Sequence, residues 1–412
     1  MASALWQQGV GRVWLSGWWR AAGTAAAAAA SPGVEFVYER HGPVEEVLQR
    51  RQVPRRRVEK LHGDQVALEL LAFPVTAADV ATVERGTAAA AASAGEMGAA
   101  AASGIGGHEG LAAVVAAGPL SAFKAGDFVL AARTLRGTWR EHAVVDDGST
   151  CLVSLPMELR DALQRRSKAA LERAATLMGA PAVAYRLLTD YGLQKGDVLV
   201  QNAGATPVGL AVVQLAAERG LRTLSVVDEL PPDATAGSGP ALEDYGVKAE
   251  RVKALGGDVV VSSSFARRVP EVRKMIADLS GGVTGGAKLA LNGVGGDSAT
   301  SLLKFVGHGG TMVTYAGWRG TMPVIAPTSA FVERDLVLRG FSMLQWVQHA
   351  DIESIQSMVN ELGSMAARGA LTGWLERKPL SALQTDDFAS ARELHRARQI
   401  VAVTPAGERF AA

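Results

Sequence analysis

The chain has one cysteine, Cys151, among 412 residues. A single thiol excludes an internal disulfide framework and every structural zinc site assembled from several thiolates. Cys151 reads as a small buried hydrophobe. Net charge is nearly absent as well: 42 Lys and Arg oppose 41 Asp and Glu, a formal +1. That balance gives no electrostatic reason to expect nucleic acid or an anionic membrane surface as a partner. No stretch holds the roughly 20 strongly apolar residues of a spanning helix, because the long alanine runs are only weakly hydrophobic. With 48% hydrophobic and 20% charged residues, the composition is that of a soluble globular protein long enough for two sizeable cores.

Acid is missing from the first 34 residues, where Arg12 and Arg20 are the only charged side chains before Glu35. Trp6, Trp14, Trp18 and Trp19 make this segment bulky, and an alanine run with Ser31-Pro32 closes it. An acid-free, arginine-containing, amphipathic leader over residues 1–33 resembles a mitochondrial transit peptide.

What is present is organised around Gly196–Asp228. Val198–Gln201 reads as a buried strand, Asn202–Gly209 as a small-residue turn, Val208–Arg219 as a helix, and Thr223–Val227 as a second strand ending on Asp228. Strand, turn, helix, strand and acid describe the first βαβ unit of a dinucleotide-binding fold. The strict G-x-G-x-x-G is lacking. Gly204 and Gly209 nonetheless suit close backbone approach to a pyrophosphate at the helix N-terminus, while Pro207 removes one N–H donor. An acid at the tip of the second strand suits two ribose hydroxyls and repels a 2′-phosphate. On charge alone Asp228 favours NADH.

Upstream, Val34–Tyr38, Gln65–Pro74 and the segments around Leu111–Val129 read as short strands between glycine turns, hence a mainly β region. Residues 86–104 are low-complexity and almost all small, and read as a surface loop. Residues 158–178 read as one helix continuing through Ala182–Tyr191. Helix and strand then alternate to Tyr315, with an insertion at Leu230–Asp244, and helices are expected over 351–368 and 380–395 before a closing strand, Gln399–Val403.

Several blocks carry a resemblance: HGPVEEV, GGHEG, KAGDFVLAA, RGTWREHAVV, QNAGATPVGLAVVQLAAERGLRTLSVV, LALNGVGGDSATSLL, GGTMVTYAG and DLVLRGF. Together they resemble the medium-chain dehydrogenase/reductase superfamily and, within it, the mitochondrial trans-2-enoyl-thioester reductases. The resemblance implies an α/β fold in which a GroES-like, mainly β catalytic domain (34–182 plus 347–412) carries an inserted Rossmann domain (183–346), a doubly wound parallel sheet. It implies reduction of enoyl thioesters borne on CoA or acyl carrier protein, in the mitochondrial matrix, by a homodimer using NADPH. It places the cofactor against Gly204, Ala205, Thr206, Pro207, Val208 and Gly209, Asp228, Tyr315, Ala316, Gly317 and Trp318, Phe341, Ser342, Met343 and Leu344, and Arg398.

The resemblance is incomplete. The family's proton-donating tyrosine would fall near Thr87, inside the alanine-rich loop. Ala180 stands for a cofactor-contacting asparagine, and Asp228 for an arginine. His108 is a second candidate for the acid. Zinc-dependent relatives also have a Gly-His-Glu like Gly107-His108-Glu109, but their remaining ligands are missing at Thr76–Ala78 and Gly179–Pro181, so no metal is expected. The alternatives are a quinone or enone reductase, or a catalytically impaired descendant serving as a cofactor-binding or assembly subunit of a mitochondrial complex.

Overall fold

In a computed structural model, the described residues are 32–54, 60–86, 104–133, 137–228, 244–282, 285–316, 323–392 and 398–411. Residues 1–31 of the expected leader, Thr87, Gly317, Trp318 and most of the Leu230–Asp244 insertion lie outside them.

Strands β1 (Gly33–Tyr38), β2 (Gln49–Val53), β3 (Val66–Val75), β4 (Gly104–Ile105), β5 (Leu111–Ala117), β6 (Phe128–Ala131), β7 (His142–Val145) and β8 (Leu152–Ser154) come first. Next are β9 (Val198–Gln201), β10 (Arg222–Val227), β11 (Val259–Ser262), β12 (Ala287–Asn292), β13 (Val306–Thr314) and β14 (Val337–Gly340), then β15 (Leu375–Pro379) and β16 (Gln399–Val403). They form three sheets: β2-β1-β4, β15-β16-β3-β5-β6-β8 with β7 paired to β3, and β11-β10-β9-β12-β13-β14.

Every pairing in the third sheet is parallel. Its order runs outward both ways from β9, the arrangement of a doubly wound dinucleotide fold. Such a sheet is covered by helices on both faces, so its strands read as continuous apolar runs rather than alternating ones. Val198, Leu199 and Val200 are accordingly all buried. The crossover from β9 to β10 is α1 (Pro207–Glu218). Its N-terminus therefore lies at the carboxyl end of the sheet, beside the point where strand order reverses.

The mainly β region is built from antiparallel pairs around β3, which bonds β5, β7 and β16. All ten residues of β3 are buried, because apolar clusters cover both faces. Its one charged side chain, Glu69, meets Arg409 at 3.5 Å.

Two helical expectations need correction. The run from residue 158 to Tyr191 is three helices, Met157–Gln164, Lys168–Ala175 and Ala180–Thr189. Arg166 takes φ 59°, which ends the first helix, and Ser167 caps the second by accepting Ala170 N–H at 3.2 Å. Over 380–395 the structure has a 3-10 turn, Leu380–Ala382, and a short helix, Thr385–Ser390. Asp387 starts that helix by accepting Gln384 N–H at 3.0 Å.

Arg133, just past β6, ties the first part of the chain to the segment that follows the parallel sheet. Its Nε and Nη2 donate to the carbonyls of Val347 and Ala350 at 3.0 and 2.7 Å. Those carbonyls end the helix Met343–His349, where a cation also suits the helix dipole.

Candidate active site

Between the β3-centred sheet and the carboxyl edge of the parallel sheet lies a cleft of about 1200 Å³. That exceeds the roughly 300–1,000 Å³ of a site for one small ligand, and it leaves room for two extended ligands to meet.

One wall is the start of α1. Thr206 is its N-cap, accepting Gly209 N–H at 3.3 Å and donating to Ala203 O at 2.8 Å. Ala203, Thr206, Pro207 and Val208 line the cleft. Pro207 at the first helical position costs no intrahelical bond, and Val208 N–H belongs to the first turn, where no intrahelical acceptor exists. The two glycines sit behind this surface. A β-carbon on Gly204 would lie 2.9 Å from Ser225 Cβ, and one on Gly209 would lie 2.5 Å from Ala203 O. They permit tight packing of the turn on β10 and on itself, and Gly204 N–H is spent on Val226 O at 2.9 Å. Ala205 is buried with them.

Below the turn, two buried amides latch the strand ends. Asn202 Nδ2 donates to Asn292 Oδ1 at 2.9 Å and to Ser298 Oγ at 3.0 Å, while Asn202 Oδ1 accepts Gly293 N–H at 2.6 Å. Asn292 Oδ1 also accepts Val294 and Gly295 N–H, at 3.3 and 3.0 Å, and its Nδ2 donates to Thr314 Oγ1 at 3.1 Å. The carboxyl ends of β9, β12 and β13 are fixed together. The sequence reading missed Asn292, although asparagine ending an apolar strand before Gly-Val-Gly-Gly is a recognisable loop signal.

Tyr315 follows β13 and lines the cleft with Ala316. Its hydroxyl is buried and makes no hydrogen bond among the described residues. Thr206 is a polar neighbour, but its hydroxyl is engaged by Ala203 and Gly209. Burial pushes the phenol's pKa far up, with Thr206 opposing weakly. Phe341, Ser342, Met343, Leu344 and Arg398 line the cleft as well. Asp228 follows β10 directly, with a partner of its own.

The opposite wall carries the titratable groups. His108 and Glu109 lie on the loop from β4 to β5. Gly106 and Gly107 allow that loop to lie flat on Trp139, whose ring a β-carbon at either position would strike. Thr138 and Trp139 N–H both bond Gly106 O at 2.9 Å, Thr138 Oγ1 donates to Glu109 O at 2.8 Å, and Trp139 Nε1 donates to Pro74 O at 3.3 Å. Gly137-Thr138-Trp139, part of the block RGTWREHAVV, thus clamps the His-Glu loop.

Asp79, which the sequence reading did not single out, completes this wall. It is the third residue of the helix Ala77–Arg85 and forms a capping box with Thr76, a pattern legible as Thr-x-x-Asp. Its Oδ2 accepts Thr76 N–H at 3.2 Å and Thr76 Oγ1–H at 2.7 Å; its Oδ1 meets His108 Nδ1 at 2.5 Å. Burial would lower the His108 pKa, but the bond to Asp79 and its charge more than offset that, so the net shift is upward. Glu109 is held well above the carboxylate range, first by burial and then by Asp79, although Gly179 and Met178 N–H oppose this. Gly179 has no room for a side chain against the Glu109 carboxyl. Among the described residues, no three His, Cys, Asp or Glu side chains are grouped to hold a metal.

No family model matches the chain. It is 32% identical over 360 residues to the mitochondrial enoyl-[acyl-carrier-protein] reductase of Homo sapiens, covering 87% of this chain and 84% of that protein. The reductase of the same name from Dictyostelium discoideum is 42% identical over 184 residues, 44% of this chain and 47% of that one. Among solved structures, an apo double mutant of Etr1p superposes with a TM-score of 0.71 at 25% identity, over 91% of this chain and all of that one. An Etr1p/NADP/crotonyl-CoA complex does so with a TM-score of 0.70 at 24% identity, over the same shares.

Proposed function

The chain belongs to the mitochondrial enoyl-[acyl-carrier-protein] reductase family, within the medium-chain dehydrogenases/reductases, and on that premise we propose how its cleft performs enoyl-thioester reduction in mitochondria. The substrate is a trans-2-enoyl group carried as a thioester on CoA or acyl carrier protein. A nicotinamide dinucleotide, NADPH or NADH, supplies the hydride that the substrate receives at Cβ.

The observation that carries this reading is the Tyr315 hydroxyl, enclosed beside Thr206 at the N-terminus of α1 and without a well-formed hydrogen bond among the described residues. A buried hydroxyl without a partner costs about 1–3 kcal/mol, and a polar ligand in this corner would satisfy it. Thr206 and the first N–H groups of α1 suit a pyrophosphate, and Tyr315 suits the group attached to it. Phe341–Leu344 would border the nicotinamide, and Arg398 would face the anionic part of the cofactor. Asp228 at the tip of β10 suits a ribose diol.

The division of labour follows. Residues 183–346 hold the cofactor, and residues 34–182 with 347–412 present the wall that carries Asp79, His108 and Glu109. A second copy of the chain pairs along the edge strand β14. Val337 and Leu338 of that strand are exposed, as are Phe331 and Val332 just before it.

The test is to titrate the purified protein with NADH and NADPH separately by fluorescence and then add crotonyl-CoA. Binding of one dinucleotide followed by its oxidation supports the reading. Absence of oxidation with both cofactors would remove it. Asp228→Arg should move the preference towards NADPH.

A further inference from the structure

Enoyl reduction needs a proton at Cα as well as a hydride at Cβ, and the described cleft wall contains one assembly suited to supply it. The Asp79 carboxylate is oriented by Thr76 through Oδ2 and takes His108 Nδ1 on Oδ1 at 2.5 Å. With Nδ1 committed, Nε2 is the ring's remaining nitrogen. The imidazole lines the cleft and keeps 18% of its side chain exposed, whereas Asp79 keeps 2%. An acid presented to the cavity and aligned by a buried carboxylate is the arrangement of a general acid with its orienting partner.

We propose that His108, positioned by Asp79, is the acid that protonates the substrate's α-carbon. The proposal rests on the enoyl-thioester reading above. The step balances as follows. The hydride forms the Cβ–H bond, and the π electrons of the Cα=Cβ bond pass to the thioester oxygen as an enolate. As the carbonyl re-forms, Cα takes the proton from His108 Nε2, the N–H bond breaks, and solvent re-protonates the ring. No second oxidant or reductant is required.

Other groups in the cleft are less suited. The Tyr315 hydroxyl is enclosed on the cofactor side. The Glu109 carboxyl is turned against Gly179 and takes its backbone N–H and that of Met178. His349 sits on an exposed helix end with Nδ1 on Gln345 O at 2.7 Å. Tyr38 is the real rival: it is half-buried, lines the cleft, and has its pKa raised above 10.0 by burial. Arg85, Arg133, Arg392 and Arg398 also line the cleft, where a guanidinium's fork of donors suits anionic groups of a ligand.

The test measures steady-state reduction of crotonyl-CoA by wild type, His108→Gln, Asp79→Asn, Tyr38→Phe and His349→Gln. His108→Gln should lower kcat by about 100-fold or more, the usual scale of a lost general acid, with cofactor binding by fluorescence retained and partial rescue by added imidazole. In wild type, kcat should fall as pH rises through the histidine range, and Asp79→Asn should move that limb to lower pH. Carbon-13 ring labelling reads the same shift without turnover: the resonance missing from His108→Gln titrates above 6.5 in wild type and lower in Asp79→Asn. A kcat flat to pH 9 overturns the proposal even if His108→Gln fails to fold, because a tyrosine donor would behave that way. So does near-normal kcat in His108→Gln, a large loss confined to Tyr38→Phe, or a basic limb that moves with His349→Gln. A wild type with no turnover sinks the underlying reading and this proposal together, whereas turnover with an indifferent His108 sinks this proposal alone.

Discussion

Gly293 faces the Tyr315 hydroxyl so closely that a β-carbon on the glycine would lie 2.5 Å from that oxygen. The loop after β12 thus closes over a polar atom that makes no well-formed hydrogen bond among the described residues. Removing the hydroxyl should have opposite effects with and without cofactor. Tyr315→Phe should stabilise the free protein by up to about 1 kcal/mol, since an unsatisfied buried group is lost, and should weaken dinucleotide binding by about tenfold, the worth of one good hydrogen bond. Thermal unfolding with and without cofactor checks both signs. A variant weakened in both states would count against the assignment.

Glu109 gives a pH dependence. Its carboxyl holds a proton more tightly folded than unfolded. Above its unfolded pKa the unfolded chain releases a proton that the folded chain retains, so stability falls as pH rises towards the folded pKa. Glu109→Gln removes that slope. The variant should gain on wild type in Tm between pH 4.5 and neutrality, and no divergence over that range would refute the claim.

Gly106 tests the clamp on the His-Glu loop. Trp139 is fully buried, its ring packs on Phe388 with centroids 4.5 Å apart, and its indole N–H is bonded. It has nowhere to go. Gly106→Ala should cost about 1–3 kcal/mol, the range for an overpacked core, and lower kcat by displacing His108. Denaturant unfolding and turnover measure the two effects.

The edge of the parallel sheet tests assembly. Among the described residues, β14 is paired on one side only, to β13, and an open edge with apolar neighbours is a template for pairing. Val332→Asp and Leu338→Arg should each shift the protein towards monomer in light scattering. A wild type already monomeric at micromolar concentration would contradict the proposed dimer.

Much of this was readable in the sequence because it depends on local chemistry. The Val198–Val227 unit declares itself through an uninterrupted apolar strand, a small-residue turn with Gly204 and Gly209, and an acid just past the second strand. Gly137-Thr138-Trp139 and Gly106-Gly107 were visible as motifs, although not as partners. What escaped was long-range or conformational. Arg166 enters the left-handed region inside a stretch of good helix formers, and no propensity predicts that. Asp79 and His108 are 29 residues apart in sequence, and only folding brings them to 2.5 Å. The glycines of the turn were read as making room for a ligand, whereas they make room for protein.

The Asn202–Asn292 latch bears on how the site moves in time. It ties strands on both sides of the point where the sheet reverses, and it spends the backbone N–H groups of Gly293, Val294 and Gly295 on side-chain oxygens. Amide hydrogens in such positions exchange only when the bonds open together. Those three amides should therefore exchange at rates like those of the sheet interior rather than of a surface loop, which hydrogen exchange would measure. The segment over the Tyr315 hydroxyl is then a fixed part of the binding corner, and a cofactor entering the cleft meets a rigid floor.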